Sequence, residues 1–571
     1  LTRYLDMGLT AWWFDRNWPE IIPGPVPGIE SAIWGQKLFY DIITDHQPSK
    51  RPVLLSMPGN HPASHRYPIC FAGDTESDWH ALAESVRDTL CEGLQLRPYT
   101  LADIGGHSGF PSPEQYIRWI QWASVCPTFR LHCGPKNRYR YPWRFGDAAL
   151  ELTRTYVKMR YRLLPYLYSL AHRAGSTGVP LAASVEELDP QCPEQARDSV
   201  FCLGDALLFA PVTRSINGAA EHAHLPYRFR TPLRRRVWTE RQLEGGGFDT
   251  AHLPGRPPAE TGRDAEIRIN SFNSSEKNMA WGNSYFVLWD GRFRAEEKGW
   301  YRFLLEGNGR KELRLDDAEH PQLRARFDVG TKEAILELEP GEHSIAVSFL
   351  HSGGGMPCIE LATGKVPEPE TTSRPVEPTV PVWLPAGHWR DLWTGVVRNG
   401  QGVVDAAAAI GSLPGYARCG SILPLTRVTD HTQTAYWKDL SLEVFPHVDD
   451  GTSETTVVFD DGESTAYLDG EFSQLSLSLE RRGNVLRLTT LPQDVTHEVR
   501  LTLRFHLLPG EGVRHAVVNG TEVSYRELPP PETRSTPIPV AEDSAWFENG
   551  ITVSISDLPL GGSIALHVTL E

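Results

Sequence analysis

Three aspartates each close a short apolar run in the first part of the chain. Asp15 follows Trp12-Trp13-Phe14, Asp74 follows Phe71-Ala72-Gly73, and Asp103 follows Leu101-Ala102. Cleavage of a glycosidic bond needs two carboxyl groups across one anomeric centre, one to attack carbon and one to deliver a proton. Apolar strands that each bring a carboxylate to a shared, aromatic-lined mouth would meet that need. Taken singly, each aspartate reads better as the cap of the helix or turn that follows it; three at successive strand ends, with two adjacent Trp, bring the two readings level. Other chemistries lack their signatures, since Gly-x-Ser-x-Gly, His-Glu-x-x-His, a phosphate loop and paired Cys-x-x-Cys are all missing. His222-Ala223-His224 is a metal-chelating spacing, but its polar context favours a solvated pair. Asp316-Asp317 is a further acidic pair of the kind that calcium takes.

The elements that must position these groups alternate short apolar runs with amphipathic stretches, the mark of βα units. Strands are expected at 11–14, 53–56, 69–72 and 99–102, with a weaker run near 124–131. Trp79, Leu82, Val86 and Leu90 recur at helical spacing and predict a helix over 78–94. A second helix is expected over 148–172, kinked or ended midway by Pro165. In a βα barrel the carboxyl ends of all strands open onto one face, where sites form. Beyond residue 175 the texture becomes β-rich. Hairpin signals stand at Asp290-Gly291, Asp450-Gly451, Asp461-Gly462, Asp469-Gly470 and Asn519-Gly520. Pro-rich stretches at 254–262 and 366–381 bracket a segment with its own β-pattern.

The expected fold class is therefore multidomain α/β plus β. Residues 1–175 form the C-terminal portion of a (β/α)8 TIM barrel. Residues 176–261 and 369–430 form a proximal β-domain, 262–368 a β-sandwich inserted into it, and 431–571 a distal β-domain. The chain starts at Leu1 inside what reads as the end of a helix, so an upstream part of a longer protein is expected to be absent. Its compartment stays open; Asn273-Ser274-Ser275 and Asn519-Gly520-Thr521 are glycosylation triplets that fit secretion.

Composition narrows the partners. Of 571 residues 72 are acidic and 56 basic, for a net charge of −16. Such a surface repels phosphate backbones and anionic lipid, which argues against nucleic-acid and membrane-surface partners. Eight cysteines are too few for a disulfide scaffold at this length. The 17 Trp, 18 Tyr and 21 Phe supply flat rings that suit sugar faces as well as cores.

Together, Trp12-Trp13-Phe14-Asp15, Gly73-Asp74 with Trp79, Asp103-Ile104-Gly105-Gly106, and Trp119-Ile120-Gln121 with Pro127 to His132 resemble the ordered motifs of glycoside hydrolase family 31. Arg160 to Tyr166, Gly204 to Val212, Leu384 to Gly395 and Gly420 to Pro424 continue the resemblance. The bracketed segment is similar to the protective-antigen-type β-sandwich in Gly299-Trp300-Tyr301-Arg302-Phe303, in Leu313 to Asp317 and in Pro340-Gly341-Glu342-His343.

That resemblance implies a retaining, exo-acting α-glycosidase of α-glucosidase type, needing no cofactor and acting on an oligosaccharide or α-glycoside. Asp15 is then the nucleophile and Asp74 the general acid/base, with Phe71 or Trp79 as an apolar wall beside it. Asp103 and His132 would bind sugar hydroxyls, and Arg130 would hold a carboxylate in place. Trp12, Trp13 and Trp34 would offer stacking faces, and Arg66 is a candidate sugar contact. Alternatives are an α-transglycosylase and an impaired homologue that only binds carbohydrate. Departures from the family pattern fall at Arg16-Asn17-Trp18, where Met-Asn-Glu is common, and at His107, where an aromatic ring is common. They touch substrate choice, leaving α-glucoside, α-galactoside and α-xyloside open. With the early barrel strands absent, the stretch alone is expected to be unstable and nearly inactive.

Overall fold

A computed structural model describes the chain apart from residues 16–30, 57–64, 68, 110, 135–139, 194–199, 215–228, 240–254, 270–280, 282–283, 308–309, 317, 320–331, 353–358, 367–377, 433–436, 495–498, 524–525, 528–550, 554–562 and 571. The N-terminal part is built from α1 (Thr2–Asp6), β1 (Trp12–Phe14), α2 (Ser31–His46), β2 (Leu54–Ser56), β3 (Ile69–Phe71), α3 (Trp79–Leu94), β4 (Tyr99–Leu101), α4 (Pro113–Ser124), α5 (Asp147–Arg162) and α6 (Leu164–Thr177). The strands form one sheet in the order β1-β2-β3-β4, and every pair is parallel.

Register sorts the two faces of this sheet. Phe14, Ser56, Cys70 and Thr100 lie in one row, and all four are buried. That row faces the helices: Phe14 packs on Phe39 of α2, and Cys70 approaches Glu92 of α3. Gly35 lets α2 come this close, because a Cβ there would sit 2.0 Å from the Phe14 ring. Alternation puts Trp13, Leu55, Ile69, Phe71, Tyr99 and Leu101 on the other face. Of these only Phe71 is buried; the rest are half-covered or, for Trp13, exposed. The inner face of the described sheet is thus open where a closed eight-stranded barrel would be filled.

The weak run near 124–131 is not a strand. Residues 113–124 are α4, capped by Ser112, whose hydroxyl accepts from the Gln115 N–H. The chain then runs extended past Thr100 and Ile104, with Ile104 N–H donating to the Arg130 carbonyl. The expected long helix is two helices, because Pro165 starts a new one after the break at Leu163.

Two domain edges also move. Leu233–Thr239 pairs with Ser284–Ala295 and Glu260–Asp264, so the central sandwich begins well before residue 262. Its six-stranded and four-stranded sheets share a core that includes Val237, Trp289, Phe293, Phe303, Val347 and Phe349. Ser421–Thr426 pairs with Asp439–Phe445, which joins it to the distal five-stranded sheet rather than to the proximal domain. The proximal sheet combines Ala182–Ser184, Phe201–Leu203 and Leu207–Phe209 with His388–Asp391, Val397–Asn399 and Gly415–Arg418, so strands from either side of the sandwich complete one layer.

Buried polar groups lock the parts together. Arg118 of α4, 1% exposed, donates to the carbonyls of Ala408 at 2.5 Å, Ser412 at 2.9 Å and Ala409 at 3.2 Å. Gln121 reaches the Ile410 carbonyl, and the Tyr156 hydroxyl donates to Gly411. Burial pulls the Arg118 guanidinium down to about 10, still high enough to stay charged. Arg118→Leu would strand three carbonyls, an expected loss of about 3 kcal/mol or more. Calorimetry should then show the barrel transition lower by roughly 6–12 °C; an unchanged transition would show the clamp to be incidental.

Glu443, wholly buried, joins distal sheet and barrel by meeting His506 at 2.9 Å, Arg504 at 3.5 Å and Arg162 of α5 at 3.8 Å. Burial alone would raise its carboxyl, but the His506 hydrogen bond and the surrounding cations hold it below the usual carboxylate value. Among the described residues no helix is long and apolar enough to cross a membrane.

Candidate active site

Asp15, Asp74 and Asp103 follow β1, β3 and β4 at their C-terminal ends. Strand alternation carries Asp15 onto the face of Trp13, and Asp103 onto that of Leu101. β1 and β3 are separated by one strand, so their backbones lie roughly 10 Å apart, a gap that two converging side chains can halve.

Trp13 is the hub. Its ring meets Phe71 edge-on at 5.3 Å and His132 at 5.0 Å, and the Arg130 guanidinium sits 5.0 Å above it. Arg130 also pairs with Asp103 Oδ1. Asp103 is 1% exposed, and its Oδ2 has no hydrogen-bond partner among the described residues. A buried carboxylate oxygen left open in this way is costly unless something donates to it. Burial pushes the Asp103 carboxyl up, while Arg130, His132 and His107 pull it back. For the His132 imidazole burial acts in the opposite direction and lowers it, outweighing the pull of Asp103.

Asp74 follows Gly73, whose φ of 91° turns the chain out of β3. Its side chain is 32% exposed, and His107 Nε2 stands 3.6 Å from its Oδ1. Its described polar neighbour is thus an imidazole, and Trp79, one of the two rings expected beside it, packs against the helical core. His107 also lies 5.6 Å from His132, so Trp13, His132, His107 and Asp74 form an arc across the strand ends, and Asp15 follows Trp13 two residues on. The loops beneath are tied together. His107 and Ser108 N–H groups both donate to the Thr75 carbonyl, and Arg140 donates to the carbonyls of Gly106 and Gly109. Gly106 is required here, since a Cβ would come within 2.6 Å of the Glu76 carbonyl and its φ is +82°.

The other expected contacts are not in this arc. Trp12 points to the opposite face and packs on Phe39 and Tyr4, because it alternates with Trp13; it is a core residue rather than a stacking face. Trp34 lies in the first turn of α2 and Arg66 is exposed before β3; among the described contacts none joins either to the cluster. His222, His224, Asp317, Asn273 and Arg16 to Trp18 lie outside the described residues. Asp316 gives its two oxygens to His343 and to the Ser344 N–H, and no cluster of three metal-binding side chains occurs among the described residues.

Parallel βα units with carboxylates, imidazoles and an aromatic ring at the strand C-termini are the arrangement of a βα barrel, with the candidate site where its mouth would be. Residues 1–170 match the TIM-barrel domain of glycosyl hydrolases family 31. The chain is 32% identical over 215 residues to a probable glucan 1,3-alpha-glucosidase of Arabidopsis thaliana, covering 34% of this chain and 23% of that one. It is 31% identical over 290 residues to an alpha-xylosidase of Emericella nidulans, covering 46% and 36%. A solved structure of a Flavobacterium johnsoniae GH31 dextranase complexed with isomaltotriose superposes with a TM-score of 0.61 at 16% identity, over 100% of this chain and 54% of that one. The chain thus spans about half the length of that neighbour, and its matches span smaller shares of the curated relatives.

Proposed function

We propose that this chain carries the catalytic carboxylates of a retaining α-glycosidase, of α-glucosidase type and exo-acting. The observation that carries the reading is that Asp15 and Asp74 follow alternate parallel strands, with a run of contacts from Trp13 through His132 and His107 to Asp74. Relatives named as α-glucosidase and α-xylosidase support the same class.

In this reading Asp15 attacks the anomeric carbon while Asp74 protonates the departing oxygen. A β-linked ester forms on Asp15, and Asp74, now ionised, takes a proton from water as that water displaces the ester. Two inversions retain the α-configuration, which requires the carboxyl groups about 5–5.5 Å apart. Asp103 Oδ2 accepts a sugar hydroxyl, with Arg130 fixing the carboxylate, His132 contributes a second polar contact, and Trp13 offers a flat wall. Residues 233–366 act as an inserted sandwich of protective-antigen type. Closing the barrel over the half-open inner face of β1–β4 takes eight strands, so activity belongs to the full-length protein.

Proton NMR of hydrolysis in progress is the test. The α-anomer of the released sugar should appear first and then mutarotate. A β-anomer appearing first would overturn double displacement, and release from α-xylosides or α-galactosides but not α-glucosides would correct the sugar.

A further inference from the structure

Residues 140–145 present an aromatic pair that the roles above leave unused. Both ends of the segment are fixed. At one end Arg140, 2% exposed, donates to the Gly106 carbonyl at 2.7 Å and the Gly109 carbonyl at 3.0 Å, while its own carbonyl accepts from the Tyr116 hydroxyl at 2.7 Å. At the other end Phe145 lies flat on the buried Tyr116 ring, 3.9 Å between centroids and 8° between planes.

Between these anchors the chain turns through the short 3₁₀ segment Pro142–Phe145 and sends two rings outward. Tyr141 and Trp143 stack on each other at 4.8 Å and 15°, yet they remain 42% and 62% exposed. Exposed tryptophan is unusual because an indole has a large apolar area to bury. Here the two rings already lie stacked on a segment anchored at both ends, an arrangement that lowers the side-chain entropy lost on binding.

Position says what could cover it. Arg140 grips the Gly105-Gly106 turn that carries Asp103 on one side and His107 on the other. The pair is therefore mounted on the loops of the strand C-termini, the same end of the sheet as the carboxylates. A preformed aromatic face suits the C–H face of a pyranose ring, and stacking asks nothing of linkage or anomer. We propose that Tyr141 and Trp143 form a stacking platform for outer units of an α-linked glucan chain whose scissile end lies at Asp15 and Asp74. The proposal rests on the glycosidase reading of that site and adds a preference for oligomeric over simple glycosides.

The test uses the full-length protein carrying Trp143→Ala, Tyr141→Ala, both, or Trp143→Phe, with unchanged thermal unfolding as the check on folding. The double variant should raise KM for dextran or maltooligosaccharides by about tenfold or more. Its kcat, and its kcat/KM on 4-nitrophenyl α-glucoside, should stay within about twofold of the parent. Trp143→Phe should keep most of the affinity. In an Asp15→Asn background, which isolates binding from turnover, retardation of the protein on dextran or amylose gels should fall when Trp143 is replaced. Equal effects on long and simple substrates, or unchanged gel retardation, would overturn the platform. So would a change in solution mass with glucan binding intact, which would make the pair a contact between protein copies. Full activity of the Asp15 variant would defeat the catalytic reading alone, because gel retardation still reports on the platform.

Discussion

Asp15→Ala in the full-length protein is expected to lower kcat/KM on α-glycosides by about 10⁵-fold, the scale on which a covalent nucleophile matters. The loss should fall on turnover, because the contacts proposed to bind sugar, at Asp103, His132 and Trp13, are untouched. Folding should survive, since β1 is anchored by Phe14 and Trp12 against α2 and Asp15 lies beyond the strand. Azide makes the result diagnostic. A small anion fits where the carboxylate was and attacks from the same side. It forms a C–N bond as the aglycone leaves with the proton from Asp74. The product is then a β-glycosyl azide, inverted relative to the substrate. Activity near the parent's, or an α-azide from this variant, would remove Asp15 from the role.

Much of this site was legible because strand, turn and carboxylate follow one another locally. Apolar triplets ended by Asp mark β1, β3 and β4, and the observed strands start or stop within a residue of the expected ones. The helix over 79–94 was visible for a similar reason: one buried face repeats at helical spacing. What was hidden depends on groups far apart in sequence. Asp290-Gly291 looks like a hairpin turn, yet it lies inside Ser284–Ala295. Arg234 and Arg236, from a strand that reads as a polar run, both pair with Asp290 across the sheet. Each partner disguises the other, which is why the sandwich edge was placed too late. Trp12 and Trp13 are indistinguishable as letters, and only the parallel register decides which one faces α2. His107 stood out as a departure from the family pattern, but its nearness to Asp74 depends on the 73–78 and 103–109 loops being joined through Thr75. Gln121 sits inside a family motif and Arg118 just before it, but their partners at 408–412 lie nearly three hundred residues away, beyond any local signal.

Asp74→Ala is expected to produce a different failure, and the difference separates the two carboxyls. A general acid matters in proportion to how badly the departing oxygen needs a proton. Cleavage of oligosaccharides should therefore fall by about 10²–10⁴-fold. An α-glycosyl fluoride or a dinitrophenyl glycoside leaves without that help, so formation of the Asp15 ester should slow only a few-fold. Its hydrolysis should slow more, because water loses its base, so the ester should accumulate as a burst with such substrates. Azide needs no base and should restore turnover, attacking the ester from the face that water used and giving an α-glycosyl azide. The anomer opposite to that of the Asp15 variant would come from the same reagent. The alkaline fall of kcat/KM, where it marks loss of the acid's proton, should flatten. His107→Phe supplies the geometric control. With its Nε2 3.6 Å from Asp74 Oδ1, His107 is placed to steer that carboxyl without replacing it. It should alter the pH profile and the leaving-group dependence without the burst expected of Asp74→Ala. If Asp74→Ala instead slows activated and unactivated substrates alike, the carboxyl helps hold the mouth together rather than moving a proton.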